Sequence, residues 1–257
     1  MSKRDDTTRR RLYPAADGVS GNGKGSQKLA EVLSEQIELR IIDENWPVGK
    51  VIGSEAELLE EYGVSRAVLR EAVRLLEHHH VAHMRRGPGG GLVVIEPDPR
   101  AVTRAAAVFL RYRDVNAAQL MNARIALETA AVRDAAERID EAGVTKLRAA
   151  LEHETTFVHG EADATVHDFH VVVAELSGNP ALHLFIDVLT QLSAAGFMGP
   201  AALFDKTSAR RPSSKAEMDE VHAVHEKIAE AIIAGDAALA QHRNQRHLRA
   251  LASALGA

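Results

Sequence analysis

The feature that most restricts the fold is a pair of helix-start signals set on either side of one glycine. Ser54-Glu55-Ala56-Glu57 places a serine three residues before a glutamate. In that pairing the hydroxyl accepts from a backbone N–H and the carboxylate reaches back to the cap. The short helix starting there, EAELLEEY, stops at Gly63, and after one residue, Val64, Ser65 opens a second helix, SRAVLREAVRLLEHH. Two short helices joined by a glycine-containing turn read as a helix-turn-helix. Beyond it, VAHM and LVVI are β-prone runs flanking RRGPGGG, whose glycines and proline suit a hairpin loop. Upstream, from Lys28, LAEVLSEQIELRII puts Leu29, Val32, Leu33, Ile37 and Ile41 on one face of a helix that WPVG ends. Helix, helix, helix, hairpin is the order of a winged helix.

This unit is expected over residues 27–96. Residues 1–26 mix charge, Ser, Gly and Asn without apolar periodicity and read as a flexible arm. EPDPR, residues 96–100, reads as the way out of the first domain, with the linker at 97–102. Residues 103–254 are Ala-rich and amphipathic, with no convincing alternating strand. Breaks fall near Asp114-Val115-Asn116, Glu141-Ala142-Gly143, His159-Gly160, Ser177-Gly178-Asn179-Pro180, Gly199 to Pro212, and Gly235-Asp236. The spacing predicts a bundle of six or seven helices serving effector binding and dimerisation, so the expected class is mainly α.

Composition narrows the chemistry. Among 257 residues there is no cysteine, which excludes disulfides, thiolate metal sites and a cysteine nucleophile, so a metal would need His or carboxylate. No apolar run reaches the roughly 18 to 20 residues of a membrane span, and no apolar signal segment follows the charged start, which points to a cytoplasmic address. The formal net charge of −5 argues against a general polyanion binder. Locally the sign reverses: from Tyr62 to Gly91, five arginines stand against two glutamates, a net of +3.

Arg66 and Arg70, four apart, share one face near the start of the second helix, where a recognition helix meets the major groove. An arginine fork suits a guanine edge or a phosphate. Leu69, Val73 and Leu76 lie on another face and seat the helix. The Ser65 hydroxyl and the N–H groups of the helix start suit a phosphate oxygen. Arg85 and Arg86, at the hairpin tip, are placed for the adjacent minor groove or its backbone. The plainer reading is a solvated helix face in which Arg66, Arg70 and Arg74 pair with Glu71, Glu77 and water. The order of cap, glycine turn and basic wing favours the nucleic-acid reading.

GSEAELLEEYGVSRAVLREAVRLLE followed by RRGPGGGLVV resembles the winged helix of the GntR family of bacterial transcription regulators. The resemblance implies sequence-specific binding of double-stranded operator DNA. It gives Arg66 and Arg70 base or phosphate contacts, Ser65 a phosphate, and Arg86-Gly87 the wing contact. The family often has Arg between the two glutamates of its first helix; here that position is Ala56, so one contact of relatives is missing.

Histidine is the other unusual count, at 13. His78, His79, His80 and His83 cluster at the end of the second helix, where they suit the helix C-terminus. His225 and His247 lie ten residues before Gly235 and eleven after Asp236. If that turn joins antiparallel helices, both imidazoles sit roughly 15 Å from it and meet across the interface. His170 lies on the helix before Ser177-Gly178-Asn179-Pro180. Three neutral imidazoles from three helices suit Zn, Ni or another late divalent metal, with positions left open.

NARIALETAA, FHVVVAELSGNPAL and HEKIAEAIIAGDAALAQHRNQRHL resemble the helical ligand-binding domain of the FCD subfamily of these regulators. The resemblance implies a divalent metal held by an Asp and three His, which match His170, His225 and His247. It also implies a small carboxylic acid bridging the metal and Arg124, with Asn179 as a second effector-binding candidate. Where the subfamily has its Asp stands Val166; His167, on the same helix face as His170, or Asp163 are the replacements within reach. Arg124 has an alternative role as the i, i+4 partner of Glu128.

The expected function is a homodimeric DNA-binding regulator that reads a palindrome and responds to a small organic acid. The alternatives are a metal-sensing regulator and a metal-dependent hydrolase with a nucleic-acid-binding module. No HExxH pair, phosphate-binding glycine loop or serine elbow supports the hydrolase.

Overall fold

The computed structural model describes residues 23–157, 169–196 and 215–254. The chain divides into two compact units, with the sequence boundary between Ala101 and Val102.

The first unit holds α1 (Gly23–Asp43), β1 (Val51–Gly53), α2 (Glu55–Tyr62), α3 (Arg66–His78), β2 (Ala82–Arg85) and β3 (Gly91–Val94). Helix α1 begins five residues ahead of Lys28. Its buried face is Ala30, Leu33, Ser34, Ile37 and Ile41, while Val32 is 40% exposed. The small residues Ala30 and Ser34 replace Val32 because they, and not it, lie on the i, i+3, i+4 row with Leu33, Ile37 and Ile41. At α2 the reciprocal cap forms in full: Ser54 Oγ accepts from Glu57 N at 3.3 Å and Glu57 Oε2 accepts from Ser54 N at 2.8 Å. Gly63 ends α2 with φ +61, a left-handed conformation that glycine adopts without a Cβ clash.

Three strands form the sheet, not two, in the order β1-β3-β2, all antiparallel. In the hairpin Met84 pairs with Leu92 and Arg85 with Gly91. The added strand presses on Gly91, where a Cβ would come within 2.5 Å of the Gly53 carbonyl oxygen. Leu58, Leu69, Ala72, Val73, Leu76, Leu92 and Val94 complete the core begun by α1.

Within the expected linker at 97–102 the chain is already helical, since α4 (Pro99–Tyr112) starts there. Asp98 Oδ1 accepts from Arg100 N at 2.9 Å, and Pro99 occupies the first helical position, where a missing N–H costs nothing. The second unit continues with α5 (Ala117–Arg138), α6 (Glu141–Phe157), α7 (Phe169–Leu176), α8 (Pro180–Gly196), α9 (Lys215–Ile233) and α10 (Ala237–Ala254). The break expected at 141–143 falls earlier, because Asp140 Oδ1 accepts from Gly143 N at 2.7 Å and Gly143 lies in the first turn of α6. The breaks expected at His159-Gly160 and at Gly199 to Pro212 lie outside the described residues. Helix α5 is central and packs against α7, α8, α9 and α10. Its Val132, Ala135 and Ala136 join Phe169, Val172, Ile228, Ile232 and Ala240 in the main core. Among the described residues no helix is long and apolar enough to cross a membrane.

Candidate functional site

Two constellations carry chemistry, one in each unit. In the first, α3 is seated by Val68, Leu69, Ala72, Val73 and Leu76, all buried. That burial fixes which side chains face outward. Arg66 and Arg70 are exposed, and neither makes an ion pair or side-chain hydrogen bond among the described residues. Arg74 pairs with Glu71 at 2.9 Å, whereas Glu77 turns away to accept from Met84 N at 3.1 Å. Arg74 is thus paired with a carboxylate, while Arg66 and Arg70 face solvent with no carboxylate partner among the described residues. Ser65 caps α3, its Oγ accepting from Val68 N at 3.3 Å, so its hydroxyl proton remains to donate. Arg85 donates to the Gly89 carbonyl at 2.9 Å, which fixes the hairpin tip; Arg86 and Gly87 beside it are exposed. Of the nearby histidines, His79 bonds Glu38 on α1 at 2.8 Å, tying the C-terminal cap of α3 to α1.

The second constellation lies among α5, α6, α7, α9 and α10. His170, His225 and His247 are all buried and each offers a ring nitrogen within 4.8 Å of the others. His225 Nε2 and His247 Nε2 are 3.1 Å apart. Phe169 stacks on His225 with centroids 4.4 Å apart, and His170 stacks on His247 at 5.3 Å, so the rings are held by packing as well.

Two carboxylates set the tautomers. Glu128 Oε2 lies 2.7 Å from His170 Nδ1, and Glu154 Oε1 lies 2.6 Å from His225 Nδ1. Carboxylates accept only, so in the neutral rings the proton sits on Nδ1 and the lone pair on Nε2. His222, one turn before His225, shares Glu154 through its Nδ1 at 3.1 Å.

Electrostatics favour the same states. Burial, and then the neighbouring His170 and His225, push His247 down to about 2, so it is neutral near pH 7. Burial alone would raise Glu128, but the neighbouring His170 and Arg124 and their hydrogen bonds hold it down to about 2. Arg124 Nε meets Glu128 Oε1 at 2.5 Å, both side chains under 10% exposed. The partner role weighed for Arg124 is thus realised.

Such a donor set suits a late divalent cation. Metal–nitrogen bonds of about 2.0–2.1 Å at a tetrahedral or right angle place two ligand nitrogens roughly 3 Å apart, the separation at which His225 and His247 stand. Without a cation, the Nε2–Nε2 approach needs a proton on one of two rings.

From the surface, a cleft of about 460 Å³ between α9 and α10 reaches His247. Lys227, His242, Arg243 and Arg246 give it a basic lining, with Glu220 the acidic member and Val224, Leu239 and Ala250 apolar.

Among the described residues no contact brings Asn179 to this cluster. Its Oδ1 accepts from Ala181 N at 3.0 Å and Leu182 N at 3.3 Å, capping α8. His167 and Asp163 lie outside the described residues, as does Val166. Glu154 and His222 carried no sequence signal, since their role rests on contacts spanning 68 and 71 residues.

Comparison with known proteins covers both units. Residues 29–92 match the family described as bacterial regulatory proteins, gntR family, and residues 119–250 match the FCD domain. The HTH-type transcriptional regulator LutR of Bacillus subtilis (strain 168) is 27% identical over 209 residues, covering 78% of this chain and 89% of the relative. The Exu regulon transcriptional regulator of Escherichia coli (strain K12) is 30% identical over 164 residues, covering 63% of this chain and 60% of the relative. Among solved structures, Streptococcus agalactiae GntR superposes with a TM-score of 0.64 at 20% identity, covering 88% of this chain and 99% of the other, which speaks to the fold.

Proposed function

This chain belongs to the GntR family of bacterial transcription regulators, a DNA-binding regulator with an FCD domain and not an enzyme; on that premise we propose that it works in the cytoplasm as a homodimer on a palindromic operator and responds to a small organic acid. The observation that carries the DNA reading is the exposure of Arg66 and Arg70 on a helix whose opposite face is buried. Ser65 donates to a phosphate beside them, and Arg85, Arg86 and Gly87 form the wing contact. A single winged helix reads few base pairs, and two-fold symmetry doubles the contact set.

In the FCD domain, His170, His225 and His247 hold a divalent cation, Zn or Ni by ligand type, and the cation supplies a Lewis-acidic point for a carboxylate. The basic lining of the α9–α10 cleft supports the approach of an anion. Arg124 serves as the effector's second contact through the guanidinium nitrogens that Glu128 does not engage. Effector binding changes operator affinity only by favouring one arrangement of the two DNA-binding units over another.

A second reading, in which the cation itself is the signal, is favoured by the buried Arg124–Glu128 pair, which already neutralises the arginine. One titration tests the proposal. A labelled fragment from upstream of this protein's own gene is bound by full-length protein, metal-loaded and chelator-stripped, with and without small carboxylic acids. Two protomers per site, affinity falling steeply with salt and an acid-dependent shift only in the loaded protein are expected. One protomer per site, or no binding, rejects the dimeric regulator; a shift caused by metal alone selects the second reading.

A further inference from the structure

Among the described residues, two buried side-chain atoms lack any hydrogen-bond partner, Thr190 Oγ1 and Asn244 Oδ1. Thr190 lies on α8, which contributes nothing to the histidine cluster. Asn244 is different. It is 0% exposed and sits on α10 three residues before His247, so both side chains project from one face of that helix.

Its amide nitrogen fixes its orientation. Asn244 Nδ2 lies 3.5 Å from Glu128 Oε2, the same oxygen that holds His170 Nδ1 at 2.7 Å. An ionised carboxylate repels an amide oxygen and attracts an amide N–H, so Oδ1 points away from Glu128. Gln241 and Gln245, flanking it on α10, are committed to α5, donating to Thr129 O at 3.1 Å and Thr129 Oγ1 at 3.2 Å. They do not satisfy Asn244. A buried acceptor left without a donor carries the full cost of its lost water. In this neighbourhood a bound cation removes that cost.

We propose that the side-chain oxygen of Asn244 is the fourth protein donor to the cation held by His170, His225 and His247. The assignment rests on the cation-site reading above and adds a ligand to it. It also accounts for Val166 at the position where the resemblance calls for a carboxylate, because the oxygen comes from α10 instead. A neutral amide has a further consequence. With three neutral imidazoles and an amide as ligands, compensation of the cation comes from Glu128 and Glu154 through the rings, and Arg124 opposes it. The site then keeps a net positive charge, which suits an anion as the exchangeable ligand.

Full-length protein and Co(II) as a coloured probe test this. Asn244→Ala is expected to weaken Co(II) about tenfold or more, on the scale of losing a metal-site partner, and to change the visible absorption of the bound ion. Asn244→Asp, nearly the same shape and so a safeguard if the alanine variant folds poorly, is expected to bind more tightly than wild type. Thr190→Val, removing the other orphaned oxygen, is expected to leave affinity and spectrum unchanged. Wild-type affinity and spectrum in both Asn244 variants overturn the proposal and leave the histidine site standing. If wild type takes up no Co(II), the histidine site and the proposal fall together.

Discussion

His225 and His247 meet Nε2 to Nε2 at 3.1 Å across the antiparallel pair α9 and α10, although 22 residues separate them in sequence. Gly235, with φ +70 at the turn, sets their height: the two helices leave it in opposite directions and carry the rings nearly equal distances. Without a cation one Nε2 donates to the other; the use of the contact is that both lone pairs are free to face a cation that displaces that proton.

Replacing either ring removes that use. His225→Ala and His247→Ala are expected to abolish uptake of one divalent ion per protomer and the rise in melting temperature that a cation gives wild type. Equilibrium dialysis and a thermal melt check both. An unchanged stoichiometry in either variant contradicts the ligand assignment.

Acid is expected to destabilise the metal-free protein in two stages. His247 ionises ordinarily near 6.5 but is held to about 2 when folded, so the unfolded chain takes up its proton first. Its contribution is complete above 6.5 and declines as pH falls below it. Glu128 is lowered from 4.5 to about 2, and adds a second decline below 4.5 as the unfolded chain protonates first. Melting temperatures of chelator-treated protein should fall from pH 7 to 5. His247→Gln should flatten that limb and leave the one below pH 4.5.

The Arg124–Glu128 pair is buried on both sides, so removing one charge strands the other. Glu128→Ala is expected to cost about 3–5 kcal/mol, read by urea unfolding. A loss under about 1 kcal/mol, the range of exposed pairs, would show that the guanidinium finds water.

In the first unit, Gly91→Ala places a Cβ 2.5 Å from the Gly53 oxygen and 2.7 Å from Val51 Cγ1. Strand β1 must shift, and a loss of about 1–3 kcal/mol is expected, the range for overpacking. Hydrogen exchange should show it first in Val51–Gly53.

Local signals were legible where a residue type has one cheap use. Ser54 with Glu57, Gly63 and Ser65 mark helix ends by backbone chemistry alone, and they fall where expected. Val51–Gly53 escaped because three residues are too few to show alternation, and only β3 makes them a strand. EPDPR reads as a linker, although Asp98 before Pro99 makes that proline a helix start. The histidine cluster was legible through spacing about Gly235-Asp236. Its supports were not, since Glu128 and Glu154 reach His170 and His225 from other helices across 42 and 71 residues.

The most direct test of the central claim is a gel-shift titration of the fragment upstream of this protein's gene with wild type, Arg66→Ala and Arg70→Ala. Each substitution is expected to weaken binding by about 1–3 kcal/mol, roughly 5- to 150-fold, while the melting temperature stays within a degree or two, because both side chains are exposed and, among the described residues, unpaired. Wild-type affinity in both variants would contradict the assignment of α3 as the helix that reads DNA.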